Sequence, residues 1–242
     1  MNKIWIITRR ELASFFDSLI AYVIIIMFLG FTGFFTWVTP SSNIFLIGQA
    51  NLQVFFQIGF WTLFFFIPAL TMKMLAEETR SGTIELLNTK AISDWEIVAG
   101  KFMACLLLVV IALACTIPYY VTVSQLGTVD HGAMIGGYLG LVLLSAGYIS
   151  LGLFASSITN NQIVAFLIAL LIGIFFQLLF DMLGFSLRGG IGNVLNYLSM
   201  RTHFDSLSRG VIDSRDLIYF FSVIGVGLTF AQAMLSKRNW QS

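Results

Sequence analysis

Charge is what this sequence has least of. Only 10% of its 242 residues are Asp, Glu, Lys or Arg, against about 25% in an ordinary soluble domain. A water-facing globule of this size must cover itself with polar side chains, and that cover is missing. A soluble enzyme is therefore excluded. So is a disordered chain, which is charge-rich and poor in aromatics; here aromatics make up 15%. The formal net charge of +1 gives no electrostatic case for a nucleic-acid partner. Cysteine is scarce too. Cys105 and Cys115 stand in one apolar run, ten positions apart. On a helix that is about 15 Å along the axis, too far for a disulfide. They read as packing residues, and no metal-ligand spacing is present.

Long apolar runs take the place of charge. Hydrophobic residues make up 58%, and the mean hydropathy is +0.90. A spanning helix needs about 20 apolar residues, because the hydrocarbon core is about 30 Å thick. Six runs qualify, at 19–38, 54–75, 102–125, 133–157, 162–184 and 217–236. Backbone groups in lipid must pair internally, so these runs predict helices rather than lone strands. The expectation is an all-α polytopic membrane protein, a single domain over 1–242 with six transmembrane helices. The first run lacks the small-residue cleavage site of a signal peptide and is expected to stay.

Orientation follows from the basic residues. One side carries Lys3, Arg9, Arg10, Lys73, Arg80, Lys90, Lys101, Lys237 and Arg238. The other carries Arg188, Arg201, Arg209 and Arg215, all in the long 185–216 loop. Every Lys is on the first side. That places both termini, the 76–101 loop and the short 157–161 loop in the cytoplasm, and 185–216 outside. The expected site is a bacterial inner membrane.

Residues 3–18 are too polar to span. On a helical wheel Ile4, Trp5, Leu12, Phe15, Phe16 and Leu19 share one face. Lys3, Arg10, Glu11, Ser14, Asp17 and Ser18 share another. The reading is an interfacial amphipathic helix with its apolar face in membrane lipid. Trp5, Arg9, Arg10, Glu11, Phe15 and Phe16 are its candidate contact residues. A basic flank without fixed structure is the plainer alternative.

The 76–101 loop, AEETRSGTIELLNTKAISDWEIVAGK, holds much of the charge. Gly82-Thr83 can stop one helix and start the next. Ser93 with Glu96 predicts a capping box for the helix entering span three. The loop is either a charged surface for a cytoplasmic partner or simply a solvated connection.

Other constellations weigh less. Gly100-Lys101 lacks the upstream Gly and the following Ser/Thr of a P-loop, so this chain should not hydrolyse ATP. His131 and His203 are read as surface or cap residues, without enough neighbouring ligands for a metal. Asp181 reads as a water-facing helix end, with Gln177 one turn before it. Gln49, Gln53 and Gln57 line a polar cleft, touch a second subunit, or belong to a wet helix end. Pro68 and Pro118 predict kinks in spans two and three. Gly136 and Gly140, continued by Gly147, Ser150 and Gly152, predict close helix packing. Leu195–Leu198 and Phe204–Leu207 suggest short helices in the outer loop.

The run Glu78-…-Gly82-Thr83-Ile84-Glu85-Leu86-Leu87-…-Ile92-Ser93-…-Glu96-Ile97-…-Gly100-Lys101 resembles the cytoplasmic loop of ABC-2 type transporter permeases. The layout is similar over essentially the whole chain. Ala91 departs from the family, which often has Pro there. Three stretches are similar to the gliding-motility-associated permease GldF: Arg10–Phe16, Asn161–Phe166 and His203–Asp213. The last also occurs in permeases of copper-reductase maturation systems.

The resemblance implies a transmembrane permease subunit of an ATP-driven transporter, in gliding motility or secretion an exporter. It implies a cytoplasmic P-loop ATPase subunit as partner, holding the ATP and Mg. This chain would bind no cofactor. It also implies a second permease subunit, as a homo- or heterodimer. Carried over, Glu78, Gly82, Thr83, Glu85 and Leu86 would contact the ATPase, while Glu96 and Lys101 support span three. An ATP-independent secondary carrier and a membrane anchor are the competing readings. A carrier would need titratable groups at mid-span, which the runs almost lack.

Overall fold

The computed structural model describes residues 3–39, 51–81, 93–187 and 189–239. Among the described residues there is no strand. Helix α1 (Lys3–Asp17) precedes α2 (Ile20–Gly33), which ends in a π-helical turn, Phe34–Val38. Then come α3 (Gln53–Thr71), α4 (Ala76–Ser81), α5 (Asp94–Ala114), α6 (Ile117–Leu126) and α7 (His131–Ile158). Helix α8 (Gln162–Ile174) runs through a second π-helical turn, Phe175–Leu179, into α9 (Phe180–Ser186). Two short consecutive helices, α10 (Gly190–Leu198) and α11 (Met200–Ser208), lead to α12 (Ser214–Asn239).

These helices form six apolar spans: Ile20–Val38, Gln53–Ser81, Asp94–Leu126, His131–Ile158, Gln162–Ser186 and Ser214–Lys237. The chain is therefore an all-α multi-pass membrane protein. Below, the near end is the one bearing α1, and the far end bears α10 and α11.

Span four is the hub. In its most apolar stretch 83% is buried, against 22% in spans one and five. Small residues explain this, because they let other backbones approach closely. A Cβ on Gly136 would sit 2.3 Å from the Leu207 carbonyl oxygen, closer than any real contact. The predicted Gly/Ser surface is thus a packing seam inside the subunit. Spans one, five and six instead turn residues such as Ile26, Leu171 and Phe221 outward.

Two span boundaries differ from the sequence reading. Span two continues past 75, but as two pieces separated at 72–75. Span three begins at Asp94 rather than 102, because the predicted capping box forms. The Ser93 amide donates to Glu96 (2.9 Å) and the Glu96 amide to the Ser93 hydroxyl (3.3 Å). The predicted disruption of span three at Pro118 is present and takes the form of a break between two helices. Helix α5 ends at Ala114, and Pro118 stands in the first turn of α6, where its missing N–H costs no helical bond. Pro68 does lie inside α3, three residues before that helix ends.

Candidate coupling site at the near end

Helix α1 packs along the start of span three, and one glycine makes that possible. A Cβ on Gly100 would lie 2.7 Å from the Ile7 Cβ. The Thr8 hydroxyl, buried in the seam, lies 3.1 Å from the Gly100 carbonyl and 2.9 Å from that of Ile4. The inward face of α1 therefore carries Ile7, Thr8, Glu11 and Phe15. This corrects the two-faced wheel. Glu11 turns inward, because its partner lies inside the protein, and Trp5 remains about half exposed. Arg9 is exposed. Phe16 is half-buried and meets Tyr22 edge-on.

The partner is Lys101, only 1% exposed. An ammonium out of water is expensive unless it is paired. Its Nζ lies 2.8 Å from Glu78 Oε1 and 3.4 Å from Glu11 Oε1. Arg10 closes the figure, 2.6 Å from Glu11 and 3.5 Å from Glu78. Two cations and two carboxylates thus tie together α1, the last turns of span two and the start of span three. Burial alone would raise the Glu11 carboxyl. Lys101 and Arg10 outweigh it and hold the group below the usual carboxylate range. The same contact with Glu11 raises Arg10 further.

Sequence reading placed Lys101 as a support of span three and did not connect it to Glu11. Its two carboxylates come from distant parts of the chain, so no local spacing announces them. Beside this network opens a cleft of about 570 Å³, lined by Arg10, Glu11, Lys73, Glu77, Glu78 and Lys101. The Lys73 ammonium sits 5.3 Å from the centre of the Phe15 ring, a cation–π contact. Glu96, besides its cap, lies 3.7 Å from Lys3. Gly82, Thr83, Glu85 and Leu86 lie outside the described residues. The structure brings α4, which leads into them, directly onto the network through Glu78.

A second polar knot closes the far end, and here His203 corrects its reading as a surface residue. It is buried, with Nδ1 2.6 Å from Asp216 Oδ1 and Nε2 2.8 Å from the Tyr197 carbonyl. A carbonyl only accepts, so Nε2 carries a hydrogen. Tyr219 stacks on the imidazole at 4.0 Å and donates to the Leu198 carbonyl (2.6 Å). The knot fastens α10 and α11 to span six. His131 is exposed and meets the Tyr120 hydroxyl at 2.8 Å.

Between the two ends the buried polar groups of the described residues are uncharged, mostly Ser and Thr hydroxyls. Tyr148 of span four donates to Gln177 in the span-five π-helical turn, where both are buried. Asp181, one turn on, is instead partly exposed and faces Arg201 at 3.6 Å. Gln53 and Gln57 are exposed; Gln49 lies outside the described residues.

Six apolar helices packed about the small-residue face of span four, with charged clusters at both ends, define a multi-pass membrane protein. Comparison with known families makes this specific. Residues 19–235 match the family described as ABC-2 family transporter protein, and the chain belongs to that family. It is a permease subunit of an ABC transporter. The match leaves α1 outside its range, although α1 supplies two of the four charges in the network. No curated protein matches the chain.

Proposed function

We propose that the near end faces the cytoplasm and docks a separate P-loop ATPase through the 76–101 segment. ATP and Mg belong to that partner. ATP binding there closes the ATPase pair and pushes on the loop. The push passes through α4 and Glu78 into Lys101 and span three, and through Glu11 into α1. The observation that carries this reading is the buried Lys101 held by carboxylates from two other elements. An ion pair of this kind contributes little net stability compared with an apolar core. It does make three elements move as one body, which a transmitted stroke requires.

Two permease chains, identical or related, would enclose the path, with export as the direction. An inner-membrane setting in gliding motility or secretion fits the three stretches similar to that permease group. The strongest competitor is a carrier that works without ATP. Such a carrier would need ionisable groups at mid-membrane, whereas the buried pair found there, Tyr148 and Gln177, is neutral at ordinary pH.

The test is affinity purification from native membranes in mild detergent, followed by mass spectrometry and an ATPase assay. A co-purifying P-loop ATPase, lost when Glu85 and Leu86 are both replaced by Ala, is the expected result. Recovery of the folded chain with no ATPase would overturn the reading and bring the carrier or anchor forward.

A further inference from the structure

Span two is broken between Thr71 and Ala76. A broken helix leaves amides at the start of its second piece without helical carbonyls. Buried away from water, each needs an acceptor from elsewhere. Span four supplies it. The Ser156 hydroxyl accepts from the amides of Leu75 (3.1 Å) and Ala76 (3.0 Å). It donates to the Met72 carbonyl at 3.0 Å. A serine hydroxyl has one hydrogen and two lone pairs, so its whole capacity is used on this one break. Ser156, Leu75 and Ala76 are all fully buried.

One turn earlier on the same face, Gly152 lets span two come close. A Cβ there would lie 2.2 Å from the Thr71 hydroxyl oxygen. Gly152 and Ser156 together hold both sides of the break against span four. Glu78, the carboxylate nearest Lys101, lies two residues beyond the joint.

We propose that Ser156 is a positioning residue for energy coupling. It fixes the angle between the two pieces of span two, so that displacement of the 76–101 segment is carried into span four. The proposal rests on the permease reading above. Without the hydroxyl, the α4 piece can swivel while the membrane-embedded piece stays still. With it, a swivel must break three buried hydrogen bonds. Span four in turn packs its Gly136 and Gly140 against Leu207 and Phe204 of α11 at the far end. A movement entering at Ser156 thus meets continuous packed contacts to the opposite side.

The experiment uses the full chain with its co-purified ATPase in lipid nanodiscs and reads amide hydrogen exchange. It compares the resting complex with one trapped by ATP and vanadate. In Ser156→Ala, exchange at Leu75 and Ala76 should rise about tenfold or more, the loss of roughly one to two buried hydrogen bonds. ATP–vanadate should change protection of residues 189–208 in wild type but not in Ser156→Ala. Ser145→Ala is the control. Its hydroxyl is equally buried on span four but bonds the Leu141 carbonyl of its own helix. It should respond like wild type.

A Ser156→Ala complex whose far end still responds fully would overturn the coupling role, whatever its local exchange. Unchanged exchange at 75 and 76 would overturn the joint itself. A wild-type complex that hydrolyses ATP with no far-end response would also overturn the role. Purification of the chain without any ATPase would fail the permease reading instead. The local exchange comparison can still be made in that preparation.

Discussion

Both ends of this bundle bury an ion pair, and they are built differently. At the near end, Lys101 meets Glu78 and Glu11, which come from separate elements beside an open cleft. At the far end, His203 meets Asp216 only 13 positions later, and the imidazole is packed against the Tyr219 and Phe220 rings. The near-end groups are two carboxylates, an ammonium and a guanidinium. The far-end pair sets an imidazole against a single carboxylate. Ties between distant elements transmit force between them. Ties within a short stretch fasten that stretch in place. The near-end network is the one the proposed coupling uses, and the far-end knot fastens the short helices beside it in sequence to span six.

The largest effect expected is at Lys101. Lys101→Met leaves two carboxylates facing one another with Arg10 alone to balance them. Breaking a buried pair from one side typically costs about 3–5 kcal/mol. Thermal unfolding in detergent should show a drop of that order. The triple variant Lys101→Met, Glu11→Gln, Glu78→Gln should recover most of it. Failure to recover would mean that the charges do more than compensate one another.

The far-end knot should matter somewhat less for global stability and more for local order. His203→Leu leaves the Tyr197 carbonyl and the Asp216 carboxylate without their shared partner. A loss of about 2–3 kcal/mol is expected, with faster proteolysis confined to 189–213. Equal loosening of the near end would erase the distinction between fastening and transmitting.

Removing the cap of span three is a smaller change. Ser93→Ala takes the hydroxyl from the capping box, a loss of about 1 kcal/mol. It should show as faster amide exchange in residues 94–97. The smallest effect is that of pH on Glu11. Its folded value is depressed, so its stabilising contribution is complete above the unfolded value of about 4.3. It is lost as pH falls through the lower folded value. Below about pH 4, the thermal midpoint of wild type should fall faster than that of Glu11→Gln.

The contrast between the two ends also shows what a sequence can and cannot reveal. The six spans are legible because the bilayer imposes one length and one polarity on every crossing helix. The capping box is legible because Ser93 and Glu96 are three residues apart, and α10 and α11 appear where Leu195–Leu198 and Phe204–Leu207 suggest them. The near-end network is not legible as a unit. Arg10, Glu11, Glu78 and Lys101 each stand out as charges in a charge-poor chain, but only folding brings them together. His203 is hidden for a related reason. Its partner Asp216 sits at the head of an apolar run and reads as a helix-end charge. The break in span two depends on Ser156 and Gly152 of another helix, and Pro68 is its sole local trace.

The central claim is that the loop between spans two and three carries a partner's movement into the bundle. Its most direct test is Glu85→Arg in the purified complex with its ATPase, read by ATP–vanadate-dependent protection of residues 189–208. The account predicts continued membrane insertion and continued ATP hydrolysis, with the far-end response abolished. A Glu85→Arg complex whose far end responds like wild type would contradict it.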